Sequence, residues 1–152
     1  MESINLTTIK KELTVEASQE TAFKVFTQQM DLWWPRTHHV GDCPMRNVVL
    51  EPRKGGRWYS NHENDSEFTL GYVQTYDPFD LFVLIWQING NQQYDPELVT
   101  EVEVQFIAEG PKTTRVKLEH KNLHRLDDSK AIESMDEGWE YVMAVYKTYT
   151  EQ

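Results

Sequence analysis

Two periodicities, one following the other, constrain this chain more than any single residue does. From Leu98 to Ala108 apolar side chains recur at alternate positions: Leu98, Val102, Val104, Phe106 and Ala108 face one way, Glu101, Glu103 and Gln105 the other. Thr113 to Lys121 repeats the pattern, with Val116 and Leu118 opposing Arg115, Lys117 and Glu119. A period of two is a strand with one covered and one wet face. From Ser129 to about Tyr149 the spacing lengthens. Ile132, Met135, Trp139, Val142, Met143 and Tyr146 form a helical stripe and leave Lys130, Glu133, Glu137, Glu140 and Lys147 outward. Such a stripe needs a cover, and the dry face of the sheet supplies one.

The upstream pattern is compatible with that arrangement. Ile4 to Val15 reads as a strand with Ile9, Lys11, Leu13 and Val15 on one face. Ser18 is a suitable N-cap for a short helix through Phe23, Val25 and Phe26, with Glu20 in its first turn. A second short helix over Met30 to Trp34 stops at Pro35, because the residue before a proline is driven out of the α region. Thr37 to Arg46 has no period and reads as a loop. Strands follow at about Val48 to Glu51, Arg57 to Asn61, Glu67 to Tyr76 and Leu81 to Gln87, separated by turn signals such as Lys54-Gly55-Gly56 and Asp77-Pro78. Strands segregated from a terminal helix indicate an α+β fold: a curved antiparallel sheet wrapped around a long C-terminal helix, with two short helices after the first strand.

With 152 residues the chain reads as one domain, 1–152, able to bury about 70% of its unfolded surface. Fifteen basic against 25 acidic residues leave a formal charge of −10, which repels nucleic acid and anionic membranes. One cysteine, Cys43, excludes an internal disulfide and suits a reducing compartment. The first residues lack a basic, then apolar, secretory pattern, and no run approaches the roughly 20 apolar residues of a membrane span. A soluble cytoplasmic domain is expected. The sequons Asn5-Leu6-Thr7 and Asn64-Asp65-Ser66 are then chance matches.

Several motifs recur together in a known order: Ala22-Phe23-Lys24-Val25-Phe26, Trp33-Trp34-Pro35, Glu51-Pro52-Arg53-x-Gly55-Gly56-Arg57-Trp58-Tyr59, Gly71-Tyr72-Val73, Asp77-Pro78 before Leu81, Trp86, Thr114-Arg115-Val116 and Gly138-Trp139. In these the chain resembles the helix-grip domains of the START-like (SRPBCC) superfamily, and within it the activator of Hsp-90 ATPase homologue-like family. The resemblance implies a sheet gripping the C-terminal helix with an apolar cavity between them. It does not imply one chemistry. Relatives include ligand carriers, polyketide cyclases and a chaperone-linked protein with an additional N-terminal domain, and fold alone does not assign function.

Trp58, Tyr72, Phe82, Trp86, Phe106, Trp139 and Tyr146 are the aromatic candidates for lining such a cavity; the same residues can equally fill a core. Arg57 and His120 are the polar candidates for ligand binding, with Glu51, Tyr59 and Gln87 beside them. Arg57 can grip a carboxylate or form a structural salt bridge with Glu51 or a neighbouring strand. Counting by twos from Val116 puts His120 on the covered face, as a base or as a histidine satisfied at the core's edge.

His38, His39, Asp42 and Cys43 cluster in the irregular loop, but adjacent histidines do not easily converge on one ion and no second cysteine is present. A rim over the cavity mouth is the simpler reading, and no metal or cofactor is expected. The nucleophile elbow, phosphate loop and dinucleotide fingerprint are missing, and Asp127-Asp128 and Asp136-Glu137 read as solvated charges. The leading expectation is a non-catalytic protein holding a small apolar or amphipathic molecule. A chaperone-linked stress accessory and a cyclase- or dehydratase-type enzyme using the same cavity are the alternatives. A homodimer through a strand edge, or through the second apolar face of Leu81 to Gln87, is a further expectation.

Overall fold

A computed structural model describes residues 8–39, 42–126 and 128–152. Its elements are β1 (Ile9–Val15), α1 (Gln19–Gln28), α2 (Met30–Trp33), β2 (Met45–Leu50), β3 (Arg57–His62), β4 (Glu67–Asp77), β5 (Leu81–Trp86), β6 (Thr100–Gly110), β7 (Thr113–Lys121), a single 3-10 turn (Leu123–Leu126) and α3 (Ser129–Thr150). The expected first strand is present from Ile9; its start at Ile4 and the first sequon lie outside the described residues, as does Asp127. β2 begins at Met45, inside the segment expected to be loop, because Met45 pairs with His62 across a bulge.

The seven strands form one antiparallel sheet in the order β1-β7-β6-β5-β4-β3-β2. Register shifts fall in four of its six pairings, β2–β3, β3–β4, β4–β5 and β6–β7. Each bulge adds twist and bend, so the sheet curls around α3. The paired glycines hold one of these bends. Gly55 has φ +83°, and a Cβ at Gly56 would stand 2.3 Å from the Glu51 carbonyl oxygen. Only glycine lets the turn close and dock on β4, where the Gly55 N–H donates to the Val73 carbonyl and the Val73 N–H to that of Gly56, both at 2.8 Å.

Local chemistry starts and stops the helices. The Ser18 hydroxyl accepts from the Thr21 N–H at 3.2 Å at the head of α1, and the Asp128 carboxylate accepts from the Ala131 N–H at 3.1 Å at the head of α3. At its far end α3 is tied to β1 by the Lys147 ammonium, 2.6 Å from the Thr14 carbonyl. Lys11 sits on the inner face of β1, as the alternation requires. Its charge is answered by Glu140 at 2.7 Å and Asp136 at 3.0 Å on α3. Burial alone would depress the Lys11 ammonium; the two carboxylates hold it above its ordinary value. Asp136 is therefore a structural partner rather than a merely solvated charge.

The space between sheet and helix is filled unevenly. At the α1 end Phe23 packs edge-on against Phe106 at 5.2 Å and Phe82 at 6.2 Å, while Phe26 meets Tyr146 at 4.8 Å. The Tyr146 hydroxyl donates to the Ala22 carbonyl at 2.7 Å and pins α3 to α1. Phe82, Phe106 and Tyr146 are at most 2% exposed. We expect Tyr146→Phe to cost about 1 kcal/mol, a drop of about 2–4 °C in thermal midpoint, since one buried hydrogen bond is lost with little change of shape. An unchanged midpoint in a calorimetric scan would contradict that.

β5 is the middle strand and its second apolar face is already covered within the chain: Ile85 is 0% and Val83 6% exposed. That face offers no surface to a second copy, contrary to one route expected for a dimer. The sheet edges are β1 and β2.

Candidate functional site

At the other end of the fold, the first half of α3 and strands β2 to β5 enclose a cleft of about 510 Å³, within the range of small-molecule sites. Small residues on α3 make the room. Ala131, Ser134 and Gly138 face it, and among the described residues beyond its own stretch of helix, only the His38 ring comes within 4 Å of a Cβ built on Gly138, at 3.7 Å.

Four of the five tryptophans line the cleft as a closed circuit. Trp34 meets Trp58, Trp58 meets Trp86, Trp86 meets Trp139 and Trp139 meets Trp34, at centroid separations of 6.2, 5.4, 5.9 and 6.0 Å. Three of these indoles are locked by their own N–H groups. Trp34 donates to the His38 carbonyl at 2.8 Å, Trp86 to the Ile88 carbonyl at 3.2 Å and Trp139 to the His120 ring at 3.1 Å. Trp58 is 1% exposed and its Nε1–H has no partner among the described residues. Trp33 turns away and donates to the Val25 carbonyl at 2.8 Å.

His120 is boxed. Its Nδ1 accepts from Trp139, so the neutral ring carries its proton on Nε2, which donates to Thr100 Oγ1 at 2.9 Å; that hydroxyl in turn donates to the Trp86 carbonyl at 3.0 Å. Burial drives its pKa down to about 3. A histidine so placed is satisfied and neutral and takes no proton from a guest. It orients Trp139 and Trp86 from behind.

Of the other expected site residues, Trp58, Trp86 and Trp139 line the cleft, whereas Phe82, Phe106 and Tyr146 belong to the packed end. Arg57 and Tyr72 do not line the cleft. They pair across β3 and β4 on the outer face, both exposed, because strand alternation sends Trp58 inward and its neighbour outward. Arg57 binds Glu67 of the next strand and covers the Tyr59 ring at 4.2 Å; the Glu67 hydrogen bond raises its already high pKa. Glu51 receives the Arg57 N–H at 2.8 Å and Arg53 at 3.1 Å, and Gln87 donates to the Pro96 carbonyl at 3.0 Å. All of these are scaffold contacts.

His38 and His39 line the cleft from the loop, with His38 stacked on Tyr141 at 5.1 Å and its pKa lowered by burial. Among the described residues no three His, Cys, Asp or Glu side chains are grouped to hold a metal. The sequence reading passed over Trp34, Ser60 and His62. Counting by twos from Trp58 finds the last two: the Ser60 hydroxyl bonds His62 Nε2 at 2.8 Å, and His62 Nδ1 bonds the Cys43 carbonyl at 2.8 Å.

A family model described as Activator of Hsp90 ATPase homolog 1-like protein matches residues 16–151. Among solved structures, the resistance protein CalC of Micromonospora echinospora, described as self-sacrificing, is 32% identical over 94% of this chain and 93% of its own, with a TM-score of 0.72. An anthrahydroquino-gamma-pyrone synthase is 32% identical over 86% and 88% of the two chains, with a TM-score of 0.63. A dimeric Aha1 from Colwellia psychrerythraea, 16% identical over 96% and 97% with a TM-score of 0.66, shares the fold. No curated protein matches. No helix among the described residues is long and apolar enough to cross a membrane.

Proposed function

We propose that this chain, which belongs to the family of Activator of Hsp90 ATPase homolog 1-like proteins, holds a small apolar or amphipathic molecule in the cleft between its sheet and α3. The observation that carries the reading is the four-tryptophan circuit around about 510 Å³ of space. Interiors normally close on themselves. A gap walled by the chain's largest side chains, three of them tethered by their own N–H groups, is a site shaped for a guest. Exposed Thr37, Gln92, Lys130 and Ser134 leave the rim open to solvent.

Catalysis in the same cleft is a second reading, supported by the likeness to a structure described as a synthase. His120 is not its base, for the reasons of tautomer and burial above. The chaperone-linked reading rests on the family's description and on a fold shared at 16% identity.

The test is a screen of fatty acids, terpenoids and polycyclic aromatics by native mass spectrometry and thermal shift. At least one class should bind one-to-one and raise the midpoint by mass action. Uniformly flat responses across all three classes would remove the reading.

A further inference from the structure

Resting on the proposed binding role, the geometry points to a narrower guest: a flat aromatic molecule carrying a hydroxyl group that hydrogen-bonds to His38 Nε2 in the wall of the cleft. The indoles of the circuit favour an aromatic frame, since ring pairs gain beyond simple burial. Orienting that frame takes a polar side chain that is held still, reaches the cleft and has a bond left to make. His120 and His62 fail on the last count, because both ring nitrogens of each are engaged within the fold. The indole N–H groups of Trp34, Trp86 and Trp139 are likewise taken.

His38 meets all three conditions. Its backbone is tied on both sides: the N–H donates to the Pro35 carbonyl at 3.0 Å, and the carbonyl accepts from Trp34 Nε1 at 2.8 Å. Its ring lies on Tyr141 at 5.1 Å and 15° from parallel, and Nδ1 is bonded to the Thr37 hydroxyl at 2.9 Å. The opposite edge of the ring, Cδ2 and Nε2, turns to α3. Cδ2 stands 3.7 Å from the Cβ position of Gly138, and both residues line the cleft. Nε2 has no partner among the described residues. It is not sealed either: among those residues the sealed side-chain atoms without a hydrogen bond are Trp58 Nε1 and Arg115 Nε. Burial holds the ring's pKa below its ordinary 6.5, so the ring is neutral at about pH 7.5. The free nitrogen of a neutral ring donates or accepts according to the tautomer, and the Thr37 hydroxyl can partner Nδ1 in either form. A guest hydroxyl does both and fits each form; a hydrocarbon fits neither.

Naphthalene and 2-naphthol share one frame and differ in the hydroxyl. Their affinities at about pH 7.5 are measured by equilibrium dialysis against the wild-type chain and His38→Phe. The His38 ring nitrogens are followed by heteronuclear NMR on 15N-histidine-labelled protein. In the wild type the naphthol should bind about tenfold more tightly than the hydrocarbon, the gain of one hydrogen bond, and should displace the His38 Nε2 resonance. Naphthalene should leave that resonance in place. His38→Phe should erase the preference and hold naphthalene within about twofold of its wild-type affinity, because a phenyl ring keeps the stack on Tyr141 without the nitrogen. A preference that survives in His38→Phe, or equal binding of both probes with an unmoved Nε2 signal, overturns the assignment while the binding role stands. If neither probe binds, the aromatic guest is overturned, and the screen of three ligand classes decides the binding role by itself. The wild-type NMR arm decides the point even where the variant folds poorly.

Discussion

His120→Gln should make the chain markedly more acid-resistant than the wild type while changing its stability near pH 7.5 by no more than about 1 kcal/mol. Gln can reproduce both contacts of the neutral ring, accepting from Trp139 and donating to Thr100, but it does not titrate. The wild-type ring, with a pKa of about 3 in the fold against 6.5 when exposed, refuses a proton that the unfolded chain accepts. Between those values the unfolded state binds more protons, so wild-type stability falls as pH falls, by about 1.4 kcal/mol per pH unit. Above pH 6.5 both states carry neutral rings and the two proteins should run parallel. Urea unfolding at intervals from pH 7.5 to 4.5 measures the difference, which should favour His120→Gln by about 2.7 kcal/mol at the acid end. His120→Leu, which does not titrate either but strands the Trp139 N–H, should instead lie about 2–3 kcal/mol below His120→Gln at every pH. A wild-type-minus-Gln difference that stays flat with pH would show that the ring titrates freely and that the box is open.

The second large effect is at Gly138. A glycine in a helix interior costs about 1 kcal/mol relative to alanine, and here, among the described residues outside its own stretch of helix, only the His38 ring, at 3.7 Å, stands near its Cβ position. Gly138→Ala should therefore raise stability by about 0.5–1 kcal/mol. Gly138→Leu should keep most of that gain while its side chain projects into the cleft, and should weaken a bound guest by about tenfold or more, an overpacking penalty of at least about 1.4 kcal/mol. A more stable protein that binds less well is the signature of space kept for a guest, since a residue serving only the fold would move both quantities together. Calorimetric unfolding and titration of whichever molecule the screen finds give the two readings. Undiminished affinity in a well-folded Gly138→Leu variant would put the guest elsewhere.

The two effects have one origin. α1 and α2 close one end of the grip: Phe23 and Phe26 of α1 pack against Phe106 and Tyr146, and Trp33 of α2 meets Tyr146. Among the described residues no such helix lies under the first half of α3. There the small side chains at positions 131, 134 and 138 face the indoles of β3 and β5 across open space. His120 stands at the boundary, held by Thr100 on one side and holding Trp139 on the other. Its proton inventory therefore reports on the integrity of the wall that a guest would touch.

Much of the architecture was legible from residue order. The alternation in β6 and β7, the stripe of α3, the N-cap at Ser18 and the glycine turn before Trp58 each carry their own local cause, and all act within a few residues of chain. The division of the aromatics was not legible in the same way. Alternation tells which face of a strand a side chain leaves from, and Trp58 leaves β3 on the inner face. Carried one position further it would have sent Arg57 and Tyr72 outward, and carried two further it would have found Ser60 and His62. Alternation is silent on what stands opposite: Phe106 meets Phe23 because α1 folds back over the sheet, whereas Trp86 meets other indoles across a gap. Trp34 joins the circuit through a turn after α2 that no period describes. Short-range sterics and periodic burial shaped every element of this protein. Whether a given ring became packing or wall was decided by contacts between residues far apart in the chain, because the room left to a side chain depends on the elements brought against it.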